Sequence, residues 1–325
     1  MSIFETTATG AKAARARIDG LIYETPLLPS RGVGEATGVN LFFKAENFQL
    51  TGSFKLRGAS NKFALLGSGA QTITASSGNH GIACSHAAAQ TGARLTVVLP
   101  ENVSAAKLAR IRRYGSHVII HGEHSGIAEK HARDLSQIHA ITYVSPYNDA
   151  DIIAGQGTAG LEMLEQHPNL DAVFISLGGG GLVSGIGATL KAANPGIKVF
   201  GVSAEMSAAL AAAIGAGHVV DVPHGETLAD GVAGGMDRDS LTLPIATAVI
   251  DELLWCSEDE IRAGLRAYAE KEHQIVEGSA GLALAGFMQV SKQLRGKDVA
   301  VVTCGSNYDA ARILPLFSKD QIHTP

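Results

Sequence analysis

The sequence predicts an α/β protein built on mostly parallel β-sheet with helices on both faces. Short runs rich in Val and Ile alternate with Ala-rich stretches of helical periodicity, a pattern typical of parallel sheets that are covered on both sides. The length of 325 residues allows either two domains or one large α/β unit. A hydrophobic content of 46% is sufficient for a sizeable core.

The predicted elements follow one another in a regular series. An amphipathic helix is expected in residues 5–22, followed by a strand at Leu41–Glu46. Further strand-like runs are Thr72–Ser76, Arg94–Pro100, residues 117–122, Asp171–Gly181, Lys198–Glu205 and Asp298–Asn307. A helix is expected after each of them except the last, which closes the series.

Two segments between these elements are rich in turn-forming residues. Pro223–Gly235 is dense in glycine and is expected to be irregular. In the stretch "VSPYNDAD", proline, asparagine and aspartate occur together, which predicts a domain border near Ser145–Tyr147.

Composition and charge exclude several classes of function. The net charge of −5 argues against a duplex-binding surface, which needs clustered Lys and Arg. The basic run Lys107–Gly115 is interpreted as one solvated helix face. The three cysteines have no CxxC spacing, which indicates a reducing compartment. Because the sequence shows neither a basic-then-apolar leader nor an apolar run long enough to span a bilayer, we expect a cytoplasmic protein without a membrane partner.

Lys55, in "LTGSFKLRGA", is predicted to lie at a helix start two residues after Ser53. A helix N-terminus has free N–H groups and a positive dipole end, which disfavour an ammonium group and lower its pKa. A lysine with a lowered pKa is a better nucleophile towards an aldehyde, so Lys55 is a candidate imine-forming lysine. The alternative is an ordinary surface lysine.

Four consecutive glycines in "SLGGGGLVSG" (Ser176–Gly185) stand between a predicted strand and a predicted helix. Such a turn lets backbone N–H groups hold a phosphate at the helix start. The alternative is a simple glycine-rich turn. Dinucleotide binding is less well supported because an early G-x-G-x-x-G with an acidic residue about 20 positions later is missing.

Two further motifs lie where strands end. "ASSGNHG" (residues 75–81) concentrates hydrogen-bond donors that suit a substrate carboxylate, although Ser and Asn are equally typical of an N-capping turn. "CGSN" follows the last strand, and Cys304 is either a neutral polar group at the strand's carboxyl end or a buried core cysteine.

In this order, "TGSFKLRGA", "SSGNHG", "GGGGLVSG" and "CGSN" resemble the motifs of the fold-type II pyridoxal-phosphate enzymes, most closely the serine/threonine dehydratase and serine racemase branch. The resemblance covers nearly the whole chain. It implies the tryptophan synthase β-like fold, with two three-layer αβα domains and twisted, mostly parallel sheets. The large cofactor-binding domain would comprise residues 1–48 and 147–325, and the small substrate-binding domain residues 49–146. It also implies a homodimer.

The resemblance also implies roles for individual residues. Lys55 would hold pyridoxal 5'-phosphate through a Schiff base, Phe54 would pack beside its ring, and Asn79 would donate to its phenolic oxygen. Cys304 would face the pyridine nitrogen, and Glu277 would lie near the active site. The phosphate would be held by the backbone of Gly178, Gly179, Gly180, Gly181 and Leu182, and the substrate carboxylate by Ser76, Ser77, Gly78, Asn79 and His80.

The implied reaction is removal of water and ammonia from a β-hydroxy-α-amino acid, threonine/serine-like or hydroxyaspartate-like. The product is a 2-keto acid, formed by α,β-elimination through an aminoacrylate with Lys55 as the base. Cys304 cannot keep the ring nitrogen protonated as a carboxylate would, and the weaker electron sink favours prompt loss of the β-hydroxyl over transamination.

Two alternatives remain open at the level of sequence. Ser77 could act as a second base or acid on the face opposite Lys55, which would allow racemisation of serine or aspartate, or it could only bind the carboxylate. A non-catalytic binding protein on the same fold is the third hypothesis, because fold does not decide function.

Two departures from the family pattern are informative. Racemase-like members bind a divalent cation through a glutamate and a later aspartate, but here Glu205 is followed only by Ala and Leu where the acid is expected, so we expect no metal. The stretch "GGMDRDSLT" (residues 234–242) resembles dehydratases of less usual hydroxy amino acids, including those of hydroxyectoine breakdown, and this puts threonine in doubt as the physiological substrate.

Overall fold

The computed structural model describes residues 1–318, which form two β-sheets and their surrounding helices. The strands are β1 (Leu27–Pro29), β2 (Asn40–Lys44), β3 (Gln71–Thr74), β4 (Arg94–Leu99), β5 (His117–Ile120), β6 (Thr142–Tyr143), β7 (Ala172–Ser176), β8 (Lys198–Ala204), β9 (Glu252–Cys256) and β10 (Asp298–Val302). The α-helices are α1 (Ile3–Ile18), α2 (Val33–Thr37), α3 (Lys55–Leu66), α4 (Asn79–Thr91), α5 (Ala105–Arg112), α6 (Ser125–His139), α7 (Ala150–Gln166), α8 (Gly181–Ala193), α9 (Ala209–Ala216), α10 (Thr242–Val249), α11 (Glu258–Glu272), α12 (Gly278–Val290) and α13 (Ala310–Ile313).

The larger sheet has the strand order β1-β2-β10-β7-β8-β9, and the smaller has the order β5-β4-β3-β6. Neighbouring strands are parallel throughout, except that β1 pairs antiparallel with β2. The predicted α/β class with mostly parallel sheets is therefore confirmed. The smaller sheet lies within residues 71–143 and the larger one within residues 27–44 and 172–302. The exact domain boundaries given above stay a prediction.

The smaller sheet is covered on both faces, as the alternation of its side chains requires. Along β4, Leu95 and Val97 pack in one core cluster with Ile82 of α4. Val98, which points to the opposite face, packs with Ala128 of α6. The two helices therefore lie on opposite faces of this sheet.

Three strands are not indicated by the sequence pattern, and all three lie at sheet edges: β1, β6 and β9. The β6 strand has only two residues, and β1 ends in a proline, which edge strands tolerate because one side of their backbone needs no partner. The predicted irregular segment Pro223–Gly235 contains only a short 3-10 helix at Asp230–Val232. Within residues 1–318, no helix is both long and apolar enough to cross a membrane.

Helix α3 packs unusually close to α7 because two glycines face each other. A Cβ atom placed on Gly155 would lie 2.5 Å from the Cα atom of Gly58. A Cβ atom on Gly58 would in turn lie 2.9 Å from the carbonyl oxygen of Ile152. This contact holds the first turns of α3, which begins at Lys55, against the body of the protein.

The same turn of α3 carries a fully buried arginine, Arg57, which joins four segments of the chain. Its Nε donates to Glu46 at 2.7 Å and its Nη2 donates to Glu162 of α7 at 2.7 Å. Lys44, at the end of β2, donates to the same Glu162 at 2.6 Å and to the Thr25 carbonyl at 2.6 Å. Two cations and two carboxylates thus neutralise one another where water is excluded.

The pKa values of this ionic cluster follow from burial and pairing. Burial alone would raise the pKa of Glu46, but the neighbouring Arg57 and Lys44 hold it below its usual range. Burial lowers the pKa of Lys44, and the two carboxylates oppose that shift. A buried ion pair is costly to desolvate, and it is very costly to break because one charge is left without a partner.

Arg57→Met is expected to lower the free energy of unfolding by about 3–5 kcal/mol, since two buried carboxylates would keep only one cation. Urea denaturation measures the loss. The control is Lys130→Met, which removes an exposed i,i+4 pair with Asp134 and should cost at most about 1 kcal/mol. Equal losses in the two variants would contradict a special role for the cluster.

Candidate active site

Lys55 is the first residue of α3, as the sequence predicts a lysine at a helix start. Its Nζ donates to the Pro146 carbonyl at 2.7 Å and lies 5.1 Å from the centre of the Phe54 ring. Burial lowers the pKa of Lys55 to about 8, against the opposing influence of Cys84, Cys304 and Glu277. The predicted direction is confirmed, and burial is its largest cause.

The start of α3 differs in one detail from the prediction. The N-cap residue is Phe54 and not Ser53, which instead forms an isolated β-bridge with Gly305. This bridge ties the segment before Lys55 to the loop after β10.

The glycine loop between β7 and α8 is shaped so that side chains would not fit. A Cβ atom on Gly179 would lie 2.4 Å from the Tyr147 ring, and one on Gly178 would lie 3.1 Å from the Cα atom of Val232. Gly180 has φ +88°, in the left-handed region that favours glycine, and it is the N-cap of α8. The loop therefore presents bare backbone at a helix N-terminus, a site suited to an anion.

Lys55 and the glycine loop line the same cavity. The cavity brings together all of the predicted cofactor residues and several others. Its lining consists of Phe54, Lys55, Asn79, Tyr147, Ser176, Gly178, Gly179, Gly180, Gly181, Leu182, Gly231, Val232, Glu277, Ser279 and Cys304.

Glu277 is buried in the cavity wall and is held by several donors. The Asn79 amide nitrogen donates to its two carboxylate oxygens at 2.9 and 3.0 Å, and the Asn307 N–H donates at 3.0 Å. Burial raises the pKa of Glu277, and the bonds from Asn79 and Asn307 oppose that shift. Gly305 is required beside this carboxylate, because a Cβ atom there would lie 2.7 Å from its oxygens.

Cys304 is buried at the carboxyl end of β10, where the sequence places it. Its sulfur lies 3.7 Å from Glu277 Oε1. Burial and the neighbouring Glu277 raise the pKa of the Cys304 thiol well above its usual value. The side chain is therefore a neutral thiol at neutral pH and not a thiolate.

The segment from Ser76 to His80 surrounds the N-terminus of α4, and of its residues only Asn79 lines the cavity described above. The Gly78 N–H donates to Ser76 Oγ at 3.3 Å. Gly81 lets the helix approach this turn, since a Cβ atom there would lie 1.9 Å from the Ser76 carbonyl oxygen. Ser77 is partly exposed.

The imidazole of His80 points into the core beside the smaller sheet. Its Nε2 lies 3.0 Å from the Val144 carbonyl, and burial lowers the pKa of His80 to about 3. The ring is therefore neutral and engaged in packing, so only the backbone of His80 is available to a substrate carboxylate.

The comparisons with known proteins agree with this geometry. Residues 18–305 match the family model described as "Pyridoxal-phosphate dependent enzyme". The chain belongs to this family. The resemblance to pyridoxal-phosphate enzymes expected from the four motifs is thereby confirmed, and so is the cofactor, pyridoxal 5'-phosphate.

Among curated relatives, the chain is 38% identical to a "Putative threonine dehydratase" of Sinorhizobium fredii, covering 91% of this chain and 90% of that protein. It is 35% identical to an "L-threo-3-hydroxyaspartate ammonia-lyase" of Saccharomyces cerevisiae, covering 93% of both. Among solved structures, a serine racemase from Dictyostelium discoideum is 35% identical with a TM-score of 0.85, covering 93% of this chain and 98% of that one.

The residues present fit pyridoxal phosphate. An amine of lowered pKa and a bare-backbone anion site lie in one cavity, as an aldehyde that carries a phosphate requires. The cavity also contains a buried polar atom, Ser279 Oγ, that lacks a hydrogen-bond partner among the described residues. Such an atom indicates a missing partner, since buried polar groups are normally satisfied.

Several cavity residues are not singled out by the sequence. Tyr147 packs its ring on the glycine loop while its hydroxyl accepts from the Asp237 N–H at 2.7 Å. Ser176 donates to the Ser279 carbonyl. The sequence gives only weak signals for these residues: Tyr147 lies at the predicted domain border, and Ser176 lies two residues before the first glycine of the run.

The lowered pKa of Lys55 predicts how the rate of cofactor attachment depends on pH. With a pKa of about 8, about a tenth of the amine is neutral at pH 7, against less than about a thousandth at the usual value near 10.4. We expect the rate at which the cofactor attaches to the cofactor-free protein to rise with pH and level off above about 8. Stopped-flow absorbance measures the rate.

A lysine model peptide serves as the control, because it experiences the same titration of free cofactor. Its rate should continue to rise towards pH 10. A protein profile that follows the peptide, or covalent attachment in Lys55→Ala, would show that Lys55 is not the tuned amine.

Gly179→Ala is expected to weaken cofactor binding about 10- to 100-fold, because its Cβ atom forces the Tyr147 ring to move at a cost of about 1–3 kcal/mol. Equilibrium titration of the cofactor-free protein measures the affinity. Gly215→Ala is the control, since its Cβ atom would meet nothing within 4 Å. Adding Tyr147→Ala to Gly179→Ala should restore part of the affinity, and unchanged affinity in the single variant would refute the fit of the loop.

Proposed function

We propose that the chain is a pyridoxal-phosphate-dependent ammonia-lyase that converts a β-hydroxy-α-amino acid to a 2-keto acid and ammonia. The observation that carries the proposal is the shared cavity, in which Lys55 and the glycine loop meet a neutral Cys304. The relatives named above as dehydratase and ammonia-lyase support the same class of reaction.

The chain's own residues have distinct tasks in this proposal. Lys55 would hold the cofactor through its amine and would be the general base that removes the substrate's α-proton. The glycine loop and the N-terminus of α8 bind the phosphate, and Phe54 and Asn79 contact the ring. When bound, pyridoxal phosphate supplies the electron withdrawal that makes the α-proton acidic. General base catalysis of this kind contributes about 10²–10⁴-fold.

Cys304 decides which outcome of α-proton removal is favoured. Because its pKa is raised, the thiol is a neutral partner for a ring nitrogen and cannot maintain a positive charge there. With such a partner the bound cofactor would withdraw electrons less strongly, and early loss of the substrate's β-hydroxyl would be favoured over proton transfer to another atom. This preference suits elimination better than transamination.

The substrate carboxylate is proposed to bind at the turn before α4. The first N–H groups of a helix lack intrahelical partners and attract anions. Gly78, Asn79 and His80 supply this backbone, with the hydroxyls of Ser76 and Ser77 beside it. The imidazole of His80 takes no part, because it is packed against Val144.

Racemisation is the less supported alternative. It is favoured only by Ser77 and by the structural likeness to serine racemase, including the one from Dictyostelium discoideum. Racemisation needs a second proton-transferring group opposite Lys55, and Ser77 is the residue that sequence resemblance places there.

We also propose a division into two domains, a homodimer and a reducing compartment. The distribution of strands over two sheets favours the division into residues 1–48 with 147–325 and residues 49–146. A homodimer is proposed from the family resemblance and is testable by light scattering. Cys84, Cys256 and Cys304 are free and buried, which agrees with a reducing compartment such as the cytoplasm.

A panel of L- and D-hydroxy amino acids, scored for ammonia release, tests the lyase. We expect turnover of at least one β-hydroxy compound, no ammonia from L-alanine, and loss of about 10²–10⁴-fold or more in Lys55→Ala. Hydroxyaspartate, serine and threonine distinguish the proposed substrate classes. A protein that carries the cofactor but releases ammonia from none of them would contradict the proposal.

Chiral chromatography of the same incubations decides between lyase and racemase. Under the lyase proposal, the remaining substrate keeps its configuration in wild type and in Ser77→Ala. Accumulation of the opposite enantiomer in wild type, abolished in Ser77→Ala, would establish the alternative.

A further inference from the structure

Asn307, which follows β10, makes four polar contacts around the cavity wall. Its backbone N–H donates to Glu277 at 3.0 Å. Its amide nitrogen donates to the Thr51 carbonyl at 2.8 Å and to Asn79 Oδ1 at 2.6 Å. Its amide oxygen accepts from Arg110 Nη2 at 2.6 Å. The side chain thus joins the end of the larger sheet to helices α4 and α5.

The chemistry of its neighbours leaves the Asn307 amide only one orientation. A backbone carbonyl such as that of Thr51 can only accept, so the nitrogen must face it. A guanidinium such as that of Arg110 can only donate, so the oxygen must face it. The assignment of oxygen and nitrogen therefore follows from two independent contacts.

This orientation determines that of Asn79 in turn. Because a donor nitrogen of Asn307 lies 2.6 Å away, the nearer atom of Asn79 must be its oxygen. The Asn79 nitrogen then faces Glu277 at the cavity wall. If the Asn79 amide were flipped, its NH₂ group would face the NH₂ group of Asn307 and its oxygen would face the Glu277 carboxylate. Neither contact could form a hydrogen bond, and buried polar groups would be left unsatisfied.

The surroundings also prevent Asn307 from swinging away. Gly52 has φ +76°, and a Cβ atom there would lie 2.7 Å from Asn307 Oδ1. The Ser306 N–H donates to the Gly52 carbonyl at 2.9 Å, so the two segments are also joined through their backbones. The amide is therefore held from the side of the Thr51–Gly52 turn as well as by Arg110.

We propose that Asn307 is a positioning residue, anchored by Arg110, that turns the Asn79 amide so that its NH₂ group is offered to the cofactor cavity. The basic helix face that contains Arg110 thereby has a task beyond solvation. Because the NH₂ group of Asn79 has two hydrogens, it can keep its contact with Glu277 and also donate to an oxygen of the bound cofactor without turning. The proposal concerns the cofactor and is independent of which amino acid is turned over.

A double-mutant cycle on the holoenzyme tests this relay. The variants are Asn79→Ala, Asn307→Asp and the double variant, and the readouts are the cofactor dissociation constant and the pH midpoint of cofactor absorbance. We expect each single variant to weaken cofactor binding about 10- to 100-fold, the value of one hydrogen bond to a charged group, and to shift the midpoint in the same direction. If Asn307 acts through Asn79, the cofactor dissociation constant of the double variant should be within about twofold of that of the single variant that binds the cofactor less tightly.

Variants of Arg110 provide a second test. Because this side chain is exposed, its substitution is not expected to disturb folding. Arg110→Ala should weaken cofactor binding about two- to fivefold, as expected for an exposed charged contact, and Arg110→Lys should restore most of it because lysine can still donate. Arg113→Ala, at the end of the same helix, is the control and should change neither readout.

Additive effects of Asn79→Ala and Asn307→Asp would overturn the proposal, because they would show independent roles. So would an unchanged midpoint in Asn307→Asp. If Asn307→Asp does not fold, the cycle of Arg110→Ala with Asn79→Ala decides in the same way: non-additive effects support the relay, and additive effects refute it.

Discussion

The buried ionic cluster around Arg57 is the constraint on which the active site depends. Arg57 lies two residues after Lys55, so whatever holds its guanidinium also holds the start of α3. Its partners Glu46 and Glu162 come from the segment after β2 and from α7. Because buried charges tolerate little displacement from their partners, the helix has one permitted position, and the lysine amine is delivered to the cavity in that position.

Around this anchor, the parallel sheets gather the remaining parts of the site. The glycine loop follows β7, Cys304 follows β10, and the Ser76 turn follows β3. The carboxyl ends of β7 and β10, which are neighbours in the larger sheet, share one edge, which is where ligands bind in open α/β folds. The turn after β3 of the smaller sheet meets this edge, and Asn79 and Asn307, more than 200 positions apart, come within hydrogen-bond distance.

The electrostatics of the cavity are set mainly by exclusion of water. Burial lowers the pKa of Lys55 to about 8 and raises those of Glu277 and Cys304. The same effect keeps the nearby His80 neutral. The result is a site with an amine available as nucleophile and base, a neutral thiol, and a single carboxylate held by Asn79 and Asn307. That combination suits elimination, for which a permanently charged ring is not needed.

The sequence by itself determined the α/β class, the helix start at Lys55, the glycine loop and the family, because each depends on local periodicity or on a short motif. It did not indicate the edge strands β1, β6 and β9, whose pairing on one side leaves a weak pattern. Only the tertiary structure decided that burial lowers the pKa of Lys55, that His80 points into the core, and that Asn307 orients Asn79. These properties arise from contacts between distant segments, and residue spacing along the chain carries no record of them.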